Sequence, residues 1–132
     1  RKTMKKRSEL VIEYRKVRSK TWYRRQCDKL FSEYIRSFGS CEKCSGTSNL
    51  QCAHIYSRSN LHLRYDPWNA VCLCLKDHLY WAHKEPVEFT HWIDHRYPKR
   101  LAYLQKVKNN LEDNFDWERK YEWLKDLVKK IK

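Results

Sequence analysis

The sequence predicts an α+β protein, mostly helical, organised around a small metal centre of two strands and a helix. Three observations carry that expectation. Only two glycines and three prolines occur in 132 residues, which leaves little room for long loops. Apolar residues recur at helical spacing on both flanks. Five of the six cysteines and four of the six histidines fall between Cys41 and His83, a stretch with only four Lys/Arg and three Asp/Glu. At this length a single domain is expected, read here as a basic helical arm (1–38), the centre (39–84) and C-terminal helices (85–132).

A hydrophobic content of 41% with 14% aromatic residues excludes wholesale disorder. The net charge of +13 is uneven: residues 1–38 hold 13 basic residues against 4 acidic ones. A basic arm of that density draws polyanions by releasing their counterions, so nucleic acid is the expected partner. No apolar run has the length of a membrane span or the form of an export signal, and no membrane partner is expected. The cysteines then read as metal ligands in a reducing, cytoplasmic compartment rather than as a disulfide framework. Oligomeric state leaves no trace in the sequence.

Along the chain, residues 1–8 form a basic tail and the helical pattern starts near Glu9, with Ser19 or Thr21 able to cap a second helix. Tyr23, Cys27, Leu30, Phe31, Tyr34, Ile35 and Phe38 make one apolar face, which Gly39 ends. The outer face is the densest positive surface, and Arg15, Arg18, Arg24 and Arg25 are its candidate DNA contacts. Residues 49–55 and 70–73 suit two strands of a hairpin joined by a long loop, in which Arg58, His62 and Arg64 are candidate phosphate contacts. A helix is expected over 76–82. Another should start at Pro86 with Phe89, Trp92 and Ile93 on its inner face. A third carries Leu101, Leu104, Val107 and Leu111, and a last one, capped by Asp116, carries Trp117, Tyr121, Leu124, Val128 and Ile131.

Cys41-Glu-Lys-Cys44 has the spacing that sets two thiolates on one metal, and Cys74-Leu-Lys-Asp77 repeats it with aspartate in the last place. The expected structural zinc site is Cys41, Cys44 and Cys74, with Asp77 as the favoured fourth ligand. Cys27, Cys52 and Cys72 read as small buried apolar residues.

The order of this zinc knuckle, then His54, Asn69 and His78, resembles the HNH, or ββα-metal, endonucleases. Within that family LFSEYIR, CAHIYSR and LRYDPWNAVCLC are similar to the phage NinG-like recombination nucleases, over about residues 28–95. The resemblance implies a ββα-metal fold and hydrolysis of DNA, duplex or branched, with Mg²⁺ or Mn²⁺, in phage DNA recombination or processing. It implies that His54 is the general base, that Asn69 braces the loop and orients that base, and that His78 is a ligand of the catalytic metal. Two positions differ from the family pattern. Ala53 stands where a metal-ligating Asp or His commonly precedes the base, and Ala82 where many relatives carry a second histidine. His83 comes one residue later, about 140° around an ideal helix from His78. It becomes the second ligand only if the helix widens locally or ends there; otherwise His78 holds the metal with water and phosphate. The alternative function is a zinc-stabilised DNA-binding protein without catalysis.

Overall fold

The computed structural model describes residues 18–109 and 114–132. Its first helix, α1 (Lys20–Arg36), begins where Ser19 accepts a hydrogen bond from the Trp22 N–H at 3.1 Å, so the earlier of the two candidate caps is the one used. Tyr23, Cys27, Phe31 and Ile35 recur every four residues on its buried face. That face packs against α6 (Trp117–Ile131), where Asp116 caps the helix through the Arg119 N–H at 3.0 Å and Leu124 and Val128 are buried. Helix α1 ends at Arg36, and Gly39 turns the chain at φ +90°. Phe38, expected on the buried stripe, falls beyond that end and is 62% exposed.

Strands β1 (Leu50–His54) and β2 (Ala70–Cys74) pair antiparallel, with Cys52 opposite Cys72 and His54 opposite Ala70. The predicted first strand is shorter by a residue at each end: Asn49 takes a positive φ of 51°, and at Ile55 the pairing is one-sided, because its N–H donates to the Asn69 carbonyl at 2.8 Å while the Asn69 N–H turns back to the Asp66 carbonyl. A short helix α2 (Leu61–Arg64) and a 3₁₀ turn (Pro67–Asn69) fill the connection that the sequence predicts only as a loop. After β2 come α3 (Lys76–Ala82), α4 (Pro86–Arg96) and α5 (Pro98–Asn109). Residues 1–17, with the expected early helix and Arg15, lie outside the described residues, as does Leu111 of the α5 stripe.

A two-stranded hairpin is marginal alone, so this one is held by what covers its faces. Strand alternation divides β2 between two packed clusters. Ala70 and Cys72 join Cys27, Phe31, Ile35, Tyr65 and Leu124 under α1 and α6. Val71 and Leu73 join Ala53, Ala82, Phe89 and Ile93 under α3 and α4. The hairpin is thus the middle layer between two helical layers, which fixes its register. Among the described residues no helix is long and apolar enough to cross a membrane.

Candidate metal centre

The turn at Cys41–Cys44 is tied to itself and to β2. Cys41 N–H donates to the Gly46 carbonyl at 2.7 Å, Ser45 N–H to the Cys41 carbonyl at 2.8 Å, and Ser45 takes a φ of 66° to close the loop. Glu42 fastens it to the sheet: its N–H donates to the Cys72 carbonyl at 2.8 Å and its Oε2 accepts from the Cys72 N–H at 2.6 Å. The Tyr97 hydroxyl donates to its other oxygen.

These ties bring Cys41, Cys44, Cys74 and Asp77 together, with ligand atoms all within 4.8 Å of one another. Cys44 Sγ and Cys74 Sγ are 3.7 Å apart, far beyond a disulfide. A tetrahedron with zinc–sulfur bonds of about 2.3 Å has sulfur–sulfur edges of about 3.8 Å. Asp77 Oδ2 lies 3.2 Å from Cys41 Sγ and 3.4 Å from Cys74 Sγ. The two halves are alike: Cys44 N–H points at Cys41 Sγ and Asp77 N–H at Cys74 Sγ, each at 3.5 Å. The four residues fit a structural zinc, Asp77 included, and no ligand has to move across the fold to meet it. Cys27 and Cys72 are fully buried and Cys52 is partly so; burial pushes their thiols up, to about 12, about 11 and about 12. All three are packing residues, as expected.

The histidines lie beyond the knuckle. His54, at the end of β1, packs on Phe31 with ring centroids 5.5 Å apart, and its Nε2 lies 3.0 Å from the Arg64 carbonyl. A carbonyl only accepts, so Nε2 carries the proton and Nδ1 keeps its lone pair. Burial, with help from Arg58 and Arg64, holds the ring's pKa below its usual value and so keeps it neutral. Asn69 is fully buried: its Oδ1 accepts from Tyr56 N–H at 2.8 Å, and its Nδ2 donates to the carbonyls of Tyr56 (3.2 Å) and Leu63 (3.0 Å). It locks together the loop that leaves β1 and the helix whose last residue, Arg64, holds His54.

Helix α3 is wound as a π-helix. His83 N–H reaches back five residues to the His78 carbonyl at 3.1 Å. That widening brings the His78 and His83 rings to 4.4 Å between centroids, although α-helical winding would separate them. Gln51 Oε1 accepts from His78 Nδ1 at 2.7 Å, which leaves Nε2 as the free lone pair. Burial, and the neighbouring His83 and His54, hold the His78 pKa down. Among the described residues no third His, Cys, Asp or Glu joins this pair in a metal-holding group. Ala53 and Ala82 are both buried in the cluster under α3 and α4.

The basic candidates divide. Arg18 lies over the Trp22 ring at 4.5 Å and Arg24 over Trp117 at 5.9 Å, both exposed, as are Arg25 and Arg58. Arg64 is committed elsewhere: it grips Asp28 with two bonds of 2.9 and 2.7 Å, and its side chain is only 14% exposed. Its first role is to hold α2 on α1, where the Tyr65 hydroxyl also donates to Asp28 at 2.8 Å. Asp28, which holds Arg64 and Tyr65, and Gln51, which holds His78, are partners that sequence reasoning missed. Asp28 did leave a signal, as the only acid between Glu13 and Glu33 in the basic arm; Gln51 left none.

Compared with protein-family models, with curated proteins and with solved structures, the chain matches none.

Proposed function

We propose that the protein is a metal-dependent DNA endonuclease of the HNH type, with His54 as general base and His78 and His83 as ligands of a divalent cation. The observation that carries the reading is the π-wound turn of α3. It makes neighbours of two histidines whose spacing otherwise parts them, and Gln51 aims one of them by its tautomer. A helix pays for π winding in hydrogen-bond geometry, and such turns gather at functional sites.

The chain's own residues support each step of hydrolysis. His54 Nδ1 takes the proton of the attacking water; the Arg64 carbonyl holds Nε2–H and stabilises the imidazolium that forms. Asn69 keeps the loop and that carbonyl in place. The exposed Arg18, Arg24, Arg25 and Arg58 take the phosphate backbone. When bound, the cation supplies Lewis-acid stabilisation of the phosphoryl and leaving oxygens. Imidazole is a poor ligand for Mg²⁺, whereas Mn²⁺, at the weak end of the first-row series, accepts nitrogen ligands and still fills its remaining positions with water and phosphate oxygens, so Mn²⁺ is the expected activator. The second reading, a zinc-stabilised DNA-binding protein without catalysis, is favoured by one observation: Ala53 contributes packing where a third ligand would stand.

Supercoiled plasmid incubated with the protein separates the two. Relaxation or linearisation in Mn²⁺, lost in His54→Ala, supports the nuclease; DNA retained on the protein without strand breaks in Mg²⁺, Mn²⁺, Ni²⁺ or Zn²⁺ supports the binding protein.

A further inference from the structure

The C-terminal ends of α1 and α6, the knuckle and the joint of α4 with α5 enclose an open groove of about 600 Å³. Its rings face solvent: Phe38 is 62% and Trp68 47% exposed. Two cations lie among them. The Arg100 guanidinium is 4.0 Å from the Tyr97 ring and 6.0 Å from Trp68, and that of Arg96 is 5.8 Å from Tyr97. Among the described residues no carboxylate forms an ion pair with either arginine. The acid in the lining, Glu42, is occupied by the Cys72 N–H and the Tyr97 hydroxyl.

Exposed rings beside unpaired guanidiniums are the composition of a surface on which bases stack while phosphates are neutralised. We propose that this groove binds a single-stranded segment of DNA, its bases on Trp68 and Phe38 and its phosphates on Arg96 and Arg100. A second copy of the chain suits it poorly, since it would set +13 against +13. The groove also adjoins the candidate active site. Ala70 lines it, accepts from Arg100 Nη1 at 3.4 Å, and is the strand partner of His54. One strand spacing, about 4.8 Å, therefore separates the groove wall from the base-bearing strand. A strand leaving a duplex near His54 has a platform to lie on. The proposal rests on the DNA-binding part of the proposed function and not on hydrolysis.

The test is fluorescence anisotropy with a labelled dT12, an abasic 12-mer of equal charge and a 12-base-pair duplex, using the full chain and its Phe38→Ala and Trp68→Ala variants. Each substitution is expected to weaken dT12 binding on the order of five- to tenfold. Duplex affinity should stay within twofold, and the abasic strand, which loses both stacks, should bind wild type more weakly than dT12 binds either single variant. Trp68 also packs edge-on to Tyr103 at 5.1 Å, so Phe38→Ala, at an exposed position, keeps the test clear of folding defects. Unchanged dT12 affinity overturns the proposal, as does an equal loss for dT12 and duplex, or equal wild-type affinity for dT12 and the abasic strand. A concentration-dependent dimer dissolved by Phe38→Ala would make the groove a self-association surface and overturn it too. Plasmid cleavage by wild type in Mn²⁺ is scored separately: cutting without a dT12 effect sinks only the groove, and a dT12 effect without cutting sinks only the nuclease.

Discussion

Asn69 shows how one buried amide can hold a loop and, through the Arg64 carbonyl, the ring of His54. Its three hydrogen bonds join Tyr56, beyond β1's exit, to the turn before Arg64, so Asn69→Ala leaves the part-buried Tyr56 N–H and carbonyl without their partner, while the Leu63 carbonyl keeps the Asp66 N–H. A loss of about 1–3 kcal/mol in unfolding free energy is expected. A larger proportional fall in cleavage should accompany it, because the Arg64 carbonyl that orients His54 moves with the loop; urea melts and cleavage rates on the same preparations check both. The His54 shift has a sign that can be tested. As the proposed base, His54 works only when neutral, and burial lowers its pKa, so activity should hold through neutral pH and fall only below the ordinary value of about 6.5. The same shift means that the folded state binds the proton less well than the unfolded one. Its contribution to stability is therefore complete above the unfolded pKa and declines as pH falls. An acid limb above pH 7 in the rate profile would contradict the assignment. Some of this scale was legible: the buried brace at Asn69 and the three packing cysteines follow from motif order and residue type. The Gln51 hydrogen bond was not, since a glutamine on a strand announces no partner until the helix is laid against it.

At the scale of elements, α3 carries the least expected feature. Both its ends are fixed from outside: Asp77 sits with the three cysteines, while Ala82 is buried and Trp81 packs edge-on against Phe89 and Trp92 at 5.6 and 5.5 Å. The segment holds one residue more than an α-turn between those ends can take, and the surplus is absorbed by widening. Tyr80, 64% exposed, is the residue to remove. Its deletion should restore α winding with the two histidines at i and i+4, still neighbours, so Mn²⁺-supported cleavage should survive within about tenfold. An alanine inserted at the same place should abolish it. If the deletion alone destroys activity while the zinc stays bound, the π-turn positions something other than a metal pair. The other long elements could be read in advance because each has a local signature, such as the caps at Ser19 and Asp116 or the stripe Leu124–Val128, whereas short α2 and the 3₁₀ turn were legible only as a loop. The π winding and the exit of Phe38 from its stripe could not, because periodicity records which residues are apolar and not where the surrounding layers hold the ends.

Over the whole molecule, stability hangs on the centre between the two helical layers. The four residues that fit a zinc join the knuckle to β2 and the start of α3, with Cys44 and Cys74 thirty residues apart in the chain. Structural zinc supplies on the order of 10 kcal/mol in small metal domains, comparable with the whole stability of a domain this size. Purified protein should hold one zinc, and Cys41→Ser should unfold the hairpin and lower the melting temperature steeply; a metal-free sample that melts where the holoprotein does would remove the claim. The basic arm should act on affinity instead of chemistry. Neutralising Arg18, Arg24 and Arg25 together should flatten the slope of log affinity against log salt by roughly 0.9 for each phosphate that is no longer neutralised, with little change in the cleavage rate at saturating DNA.

The central claim is the division of labour between His54 on β1 and the paired histidines of α3, and the cleavage rate measured against Mn²⁺ concentration for three alanine variants tests it most directly. His54→Ala should lose about 10²–10⁴-fold at every concentration, because added metal cannot replace a base. His78→Ala and His83→Ala should lose activity at low Mn²⁺ and regain part of it at high Mn²⁺, because mass action offsets a lost ligand. Rescue of His54→Ala by excess metal would reverse the two roles, and three variants that cut like wild type would place the active site elsewhere.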